Sequence, residues 1–290
     1  MKKYILVIKS LYIFIVCIGI SLFFTGCNGC CNKNNNSNDK DESLSKIQKR
    51  GKLIVGVYAD DTPPFGYVDA NGRHCGFDIV FAHRLALDLF GNENKIEFIA
   101  VKPEERKPYL LSDKVDIVIA TYTKTTTREE VLDFGLPYMK TTLGIVVQDS
   151  SNISSLQELI NTNKTIIVNK GTFAERHLQR HYQNAKTLSL YSKDELFPAL
   201  MEGRGSAIIH DEIWLLSLCY RNQNIKMLER IGEEKVIAPA VKKGNKALLD
   251  WLNMRITELR KEHFFKEIFE KELRPYFNSD VKPYDIIIEN

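Results

Sequence analysis

Residues 120–130 read Ala-Thr-Tyr-Thr-Lys-Thr-Thr-Thr-Arg-Glu-Glu and follow directly on an apolar run at 115–120. Thr126 and Thr127 each precede a glutamate by three positions, which is capping-box spacing, so a helix is expected to begin near Thr127. A strand feeding such a turn gathers hydroxyls, main-chain amides and a guanidinium at one point. Thr121 and Thr123 stand at its entrance and Arg128 inside it. Exposed amides and the helix dipole favour a small anion there. Arg128 adds a planar fork of donors that matches a carboxylate. A capped helix carrying a solvated arginine is the plainer reading of the same spacing.

A second junction, Asn169-Lys170-Gly171-Thr172, follows another apolar strand at 165–168. Gly171 permits close backbone approach, and Thr172 either caps the next helix or touches an anion. It is not a Walker loop, because no Gly-Lys-Ser/Thr follows. Asp211 ends a third apolar strand, where its carboxylate could cap a helix or accept hydrogen bonds from an ammonium group. Donors on one half, Gly–Thr on the other and an acid nearby would complement a zwitterion such as an α-amino acid. Catalytic patterns are weaker. His177 and His181 lie four apart but lack the glutamate of a zincin helix, and no nucleophile elbow occurs. His210 beside Asp211 could be a base with its orienter or a core histidine at a strand end.

The elements that must position these groups alternate. Strands are expected at 52–58, 95–101 and 115–120, with a hairpin at 67–76 turning on Asn71-Gly72, a helix at 77–89 and a short helix at 103–111. A second series has strands at 143–147, 165–168, 207–210 and 236–241. Its helices fall at 153–160, 172–182, 192–201, 211–220, 245–259 and 264–273. Such alternation implies parallel sheets covered by helices, an α/β fold in which ligands sit outside the carboxyl ends of the strands.

The first residues have a different character. Lys2, Lys3 and Lys9 precede an apolar run of about 14 residues, short of the roughly 20 that span a bilayer. Phe24-Thr25-Gly26-Cys27 closes the run and is similar to a bacterial lipobox, with Cys27 the lipidated residue and 1–26 a signal peptide. The chain has 40 basic and 37 acidic residues; removal of the three signal lysines balances the charge, so overall charge gives no support to nucleic-acid binding. Residues 27–45 are too polar to build a core and read as a flexible tether. Cys75 and Cys219 could bridge in an oxidising compartment, but spacing alone does not establish it.

These pieces together resemble the family 3 extracellular solute-binding proteins of bacteria. The matching text is Gly51-Lys52-Leu53-Ile54-Val55-Gly56-Val57, Pro63-Pro64-Phe65-Gly66-Tyr67 and Asn71-Gly72 with Gly76-Phe77-Asp78. It continues through 115–128, Asp133-Phe134 with Pro137-Tyr138, and Val241-Lys242-Lys243-Gly244-Asn245. The resemblance implies a bilobed, type II periplasmic-binding-protein-like fold: 46–141 with 236–290 as one lobe, 142–235 as the other, and two hinge crossings. It implies that Arg128 clamps a ligand α-carboxylate, helped by the Thr123 region, Gly171 and Thr172. Asp211 would receive the α-ammonium with the Thr121 region, and Phe65 and Tyr67 would form an aromatic wall. Arg106 would meet the ligand side chain, as in binders of aspartate, glutamate or glutamine. Tyr58 stands where several acidic-ligand members carry Lys, and Asp60 and Asp61 could repel an acidic side chain, so the ligand stays open among these. The implied protein is a monomer without cofactor or metal, lipid-anchored outside the cytoplasm and partnered by an ABC permease. The rival readings are a dehydratase of small acids on the same fold, and an adhesin.

Overall fold

The computed structural model describes residues 41–58 and 63–289. The lipobox with Cys27 and the acidic pair Asp60–Asp61 lie outside the described residues.

Twelve strands occur among the described residues: β1 (Leu53–Val57), β2 (Tyr67–Val68), β3 (His74–Cys75), β4 (Ile96–Ala100), β5 (Ile117–Val118), β6 (Leu132–Phe134), β7 (Met139–Gln148), β8 (Ile166–Asn169), β9 (Thr187–Leu190), β10 (Ala207–Asp211), β11 (Ile225–Ile237) and β12 (Ala240–Lys242). They make two five-stranded sheets, ordered β4-β1-β5-β12-β6 and β11-β7-β10-β8-β9, and a small hairpin of β2 with β3. Three strands of each sheet run parallel: β4, β1 and β5 in the first, β10, β8 and β9 in the second. The remaining strands add antiparallel. Strands buried on both faces read as apolar runs rather than alternations. Accordingly the consecutive residues Val55, Gly56 and Val57 and all of Ile166–Asn169 are buried.

Helices cover the sheets: α1 (Ser43–Arg50), α2 (Phe77–Phe90), α3 (Arg106–Leu111), α4 (Thr126–Glu129), α5 (Leu156–Asn161), α6 (Phe173–His181), α7 (Leu196–Met201), α8 (Glu212–Arg221) and α9 (Lys246–Lys261), with short helical turns after them. In α2, Phe77, Phe81 and Leu85 bury one face, and Gly91 at φ 67° ends the helix by donating its N–H to Leu87 O. Gly76 is required before it: φ is 105°, and a Cβ there would lie 2.5 Å from Pro64 O.

The chain passes from the first sheet to the second between β6 and β7 and returns between β11 and β12. β7 and β11 pair antiparallel from Ile225↔Gln148 to Ile237↔Met139, with irregularities between Met227 and Glu229 and between Ile231 and Lys235.

Several expected boundaries shift. The strand expected at 236–241 is two elements, the end of β11 and β12. β6, β9 and most of β11 were not expected. Ser43–Ser45, expected in the tether, begin α1, whose Ile47 reaches the core at 2% exposure. The helix expected near Thr127 is a single turn whose N-cap is Thr125. Cys75 and Cys219 are both free, so the possible bridge between them is not formed. Burial pushes the Cys219 thiol up to about 11.

Candidate functional site

Six residues, five of them polar or aromatic, sit at or just beyond the carboxyl ends of parallel strands. Tyr58 follows β1, Arg106 opens α3 after β4, and Thr121 follows β5. In the other sheet Gly171 follows β8, Lys193 follows β9, and Asp211 ends β10. This is where an open parallel sheet leaves its free loops and a crevice. Here the two crevices face each other, because residues from both sheets touch. Arg128 Nη2 donates to Gly171 O at 3.4 Å, and Arg180 Nη2 donates to Thr127 Oγ1 at 3.3 Å. Gly171 has φ 76°, and a Cβ on it would lie 2.6 Å from Glu104 N of the opposite half. The close approach that its type suggested is thus made to the other lobe's main chain.

The cations are buried and stacked on rings. Arg106 is 2% exposed and lies over Tyr58 at 4.5 Å and over Tyr122 at 4.9 Å. Arg128, 6% exposed, lies on the same Tyr122 ring at 4.4 Å. Lys193 approaches Tyr58 at 4.6 Å and Trp214 at 5.7 Å. Cation–π contacts of this kind hold a guanidinium or ammonium in place without using its hydrogen-bond donors. Arg128 Nη1 donates to Thr123 O, which fixes one end of the fork. Its Nε and that of Arg106 are buried without a hydrogen-bond partner among the described residues.

Asp211 supplies the opposite charge. It occupies the N-cap position of α8, yet its side chain caps nothing. Burial raises its carboxyl to about 6, against the pull of Arg128, Arg106 and Lys193. Burial likewise lowers Arg128 to about 9, with Arg176 and Arg106 adding repulsion and Tyr122 and Asp211 opposing it. Arg128 remains charged at neutral pH.

The second junction behaves differently from the first. Gly171 N–H donates to Glu175 Oε2 at 2.7 Å, and Thr172 Oγ1 donates to Asn169 O at 2.6 Å while accepting from Glu175 N. The helix-capping alternative for Thr172 is the one realised, and the Gly171 amide is already engaged. Phe65 packs in the core with Phe77 and Tyr138, and Tyr67 on the hairpin lies beside Tyr276. The rings that meet the cations are Tyr58, Tyr122 and Trp214. His210 is buried, and its Nδ1 accepts the Asp211 N–H at 2.8 Å. Burial holds its pKa well below the ordinary value, with Lys193 and Arg106 adding to the effect. An imidazole used this way is a neutral main-chain acceptor, which fits the core-histidine reading rather than a base oriented by Asp211.

Sequence reasoning missed Lys193, Tyr122 and Trp214 as parts of this cluster. Lys193 sits inside the capping box Ser192–Glu195, which reads as a helix start and nothing more.

Similarity agrees with this geometry. The profile of the bacterial extracellular solute-binding proteins, family 3, matches residues 53–275. The chain belongs to that family. A cysteine-binding protein from Campylobacter jejuni superposes with a TM-score of 0.83 at 42% identity, covering 86% of this chain and 99% of that one. A solute receptor for L-cysteine from Neisseria gonorrhoeae gives 0.81 at 38% identity, over 84% and 99%. The glutamine-binding protein of a Bacillus subtilis ABC transporter is 29% identical over 81% of this chain and 86% of its own length. This family 3 member is therefore a bilobed solute-binding protein, and its lobes are the two sheets with their helices. No helix among its described residues is long and apolar enough to cross a membrane.

Proposed function

We propose that this family 3 protein captures a free polar α-amino acid between its lobes and presents it to an ABC importer. One observation carries the reading. A buried arginine on the first lobe and a buried aspartate on the second feel each other's charge, yet they form no direct ion pair among the described residues. Uncompensated buried charges are costly. A zwitterion satisfies both: its carboxylate meets the Arg128 fork, and its ammonium meets Asp211. Because the two partners lie on different lobes, the ligand joins the lobes when it binds. The lobe boundaries in this reading are 46–141 with 236–290, and 142–235, with closure by rotation about the crossings near 141–142 and 234–236.

For the side chain we favour cysteine. The relatives at 42% and 38% identity bind it by name, and glutamine is the solute of the relative at 29%. Arg106 and Lys193 would stabilise a polarised thiol, and the rings of Tyr58 and Trp214 suit sulfur. Glutamate and aspartate are the second reading, because the same two cations would welcome a carboxylate. Calorimetry of the soluble domain against reduced L-cysteine, L-cystine, L-glutamine, L-glutamate and L-aspartate tests both. Micromolar binding of cysteine with weaker acidic ligands is expected, and no binding of any amino acid would reject the function. Arg106→Ala is expected to shift preference among these ligands by at least about tenfold while recognition of the α-groups persists, since one charge-assisted contact contributes roughly 1.5–3 kcal/mol.

Anchoring through Cys27 completes the proposal: a lipid at that position, followed by the polar residues before α1, would hold the domain near its permease. In a bacterial host, Cys27→Ser should move the protein from the membrane fraction to the soluble fraction. Continued sedimentation with membranes would reject a lipid at this residue.

A further inference from the structure

The turn that carries Thr121, Thr123 and Arg128 is held by a residue outside it. Asp78, in the first turn of α2, is fully buried. Its Oδ2 accepts the Thr121 N–H at 2.8 Å, and its Oδ1 accepts the Tyr138 hydroxyl at 2.8 Å. Thr121 has φ 46°, a left-handed conformation that a β-branched residue adopts only when its surroundings impose it. A carboxylate fixed by a helix and aimed at the Thr121 amide is such an imposition. Tyr138 is also fully buried and immediately precedes β7, the first crossing strand. One carboxylate therefore contacts both the turn and the start of that crossing. The rest of the turn is laced to the other crossing: Lys124 N–H donates to Val236 O at 2.9 Å, Ala238 N–H donates to Tyr122 O at 3.2 Å, and Thr123 bridges Ile237.

We propose that Asp78 is a positioning residue for ligand capture, one that holds the Thr121 turn in its gripping shape and ties it to the first crossing strand through Tyr138. The proposal rests on the reading that residues 121–128 grip the solute. Asp78 itself need not touch the ligand. It keeps the Thr123 carbonyl where Arg128 Nη1 meets it, and so aims the guanidinium. Burial raises the Asp78 carboxyl to about 6, the cost of keeping a carboxylate here, while Tyr138 and the Thr121 amide pull the other way.

The test compares Asp78→Ala, Asp78→Asn and Leu85→Ala in the otherwise intact protein. Leu85 is fully buried on the same helix and serves as a control for general loss of stability. Two quantities are read: affinity for L-cysteine and L-glutamate by calorimetry, and main-chain amide exchange at residues 121–124 and 139–142 without ligand. Asp78→Ala is expected to speed Thr121 amide exchange at least about 100-fold and to weaken binding at least about 30-fold. Asp78→Asn, whose side-chain oxygen can still accept from the amide and whose NH2 can face Tyr138, should recover both to within about fivefold. Leu85→Ala should lose stability yet bind within about threefold of the parent. Unchanged Thr121 exchange in Asp78→Ala, or an equal affinity loss in Leu85→Ala, overturns the proposal. If Asp78→Ala does not fold, Tyr138→Phe decides, because faster exchange at both segments with weaker binding is expected and no change in either overturns it. Failure of the parent to bind either probe would reject the amino-acid reading, while the exchange measurements would still decide whether Asp78 sets the turn.

Discussion

Arg128→Met is expected to remove detectable amino-acid binding, a loss of at least about 100-fold, while the ligand-free protein keeps its stability to within about 1 kcal/mol. The two halves of that expectation have separate causes. The ligand carboxylate would enter a closed, ring-lined cleft with no cation to meet it, and an unpaired buried charge costs several kcal/mol. The protein without ligand loses the bonds from Arg128 to Thr123 O and Gly171 O and the cation's contact with the Tyr122 ring, but it is relieved of a buried cation. Calorimetry and thermal unfolding on the same sample measure both. Binding retained within tenfold of the parent would sink the clamp assignment.

Asp211→Asn should weaken binding by a similar factor and make the ligand-free protein more stable at neutral pH. The carboxyl titrates at about 6 in the folded state against 3.8 ordinarily. Between these values the folded state holds a proton that the unfolded chain has lost, so this group's contribution to stability falls as pH rises through the window. A shift of that size is worth about 3 kcal/mol, an upper bound on what the amide would recover. Asp78 shifts the same way, to about 6, and Asp78→Asn isolates its share. Affinity in the parent should run opposite to stability. It should rise with pH through about 6 as Asp211 ionises to receive the ammonium, and level off about one pH unit above that. In Asp211→Asn the part of this rise owed to Asp211 should vanish. A pH-independent affinity in the parent between 5 and 7 would show that the ligand's ammonium is held elsewhere.

Much of the frame was legible because apolar runs and turn residues are local signals. β1, β4, β8, β10, α2 and α6 fall within a few residues of expectation, as does the hairpin at Asn71-Gly72. What escaped has a common cause. β6 is three residues long, β9 alternates weakly as Thr-Leu-Ser-Leu, and β11 carries Lys226, Glu229, Arg230, Glu233, Glu234 and Lys235. A two-stranded crossing open to water needs no apolar face, so its pattern resembles a loop. Within the site, Arg128 and Asp211 stood out because a charged residue at the end of an apolar run is conspicuous. Lys193 and Trp214 did not, since each lies within a short helical stretch whose local spacing explains it fully. Phe65 was expected at the ligand and lies in the core, and Tyr122, one residue from two named threonines, supplies the ring that two guanidiniums share.

The irregular stretch of the β7–β11 ladder has a mechanical consequence. Ile231 pairs with Leu143 and Lys235 with Thr141, so four steps of one strand span two steps of the other, with Gly232 at φ 73° in the excess. Two zipped segments are thus separated by a pleat of spare backbone. Rotation of one lobe against the other can draw on that slack while the paired segments on either side keep their hydrogen bonds. Spare backbone at this point would let the joint turn at less cost than an unbroken ladder, so that contacts in the jaws would weigh more heavily in the angle between the lobes.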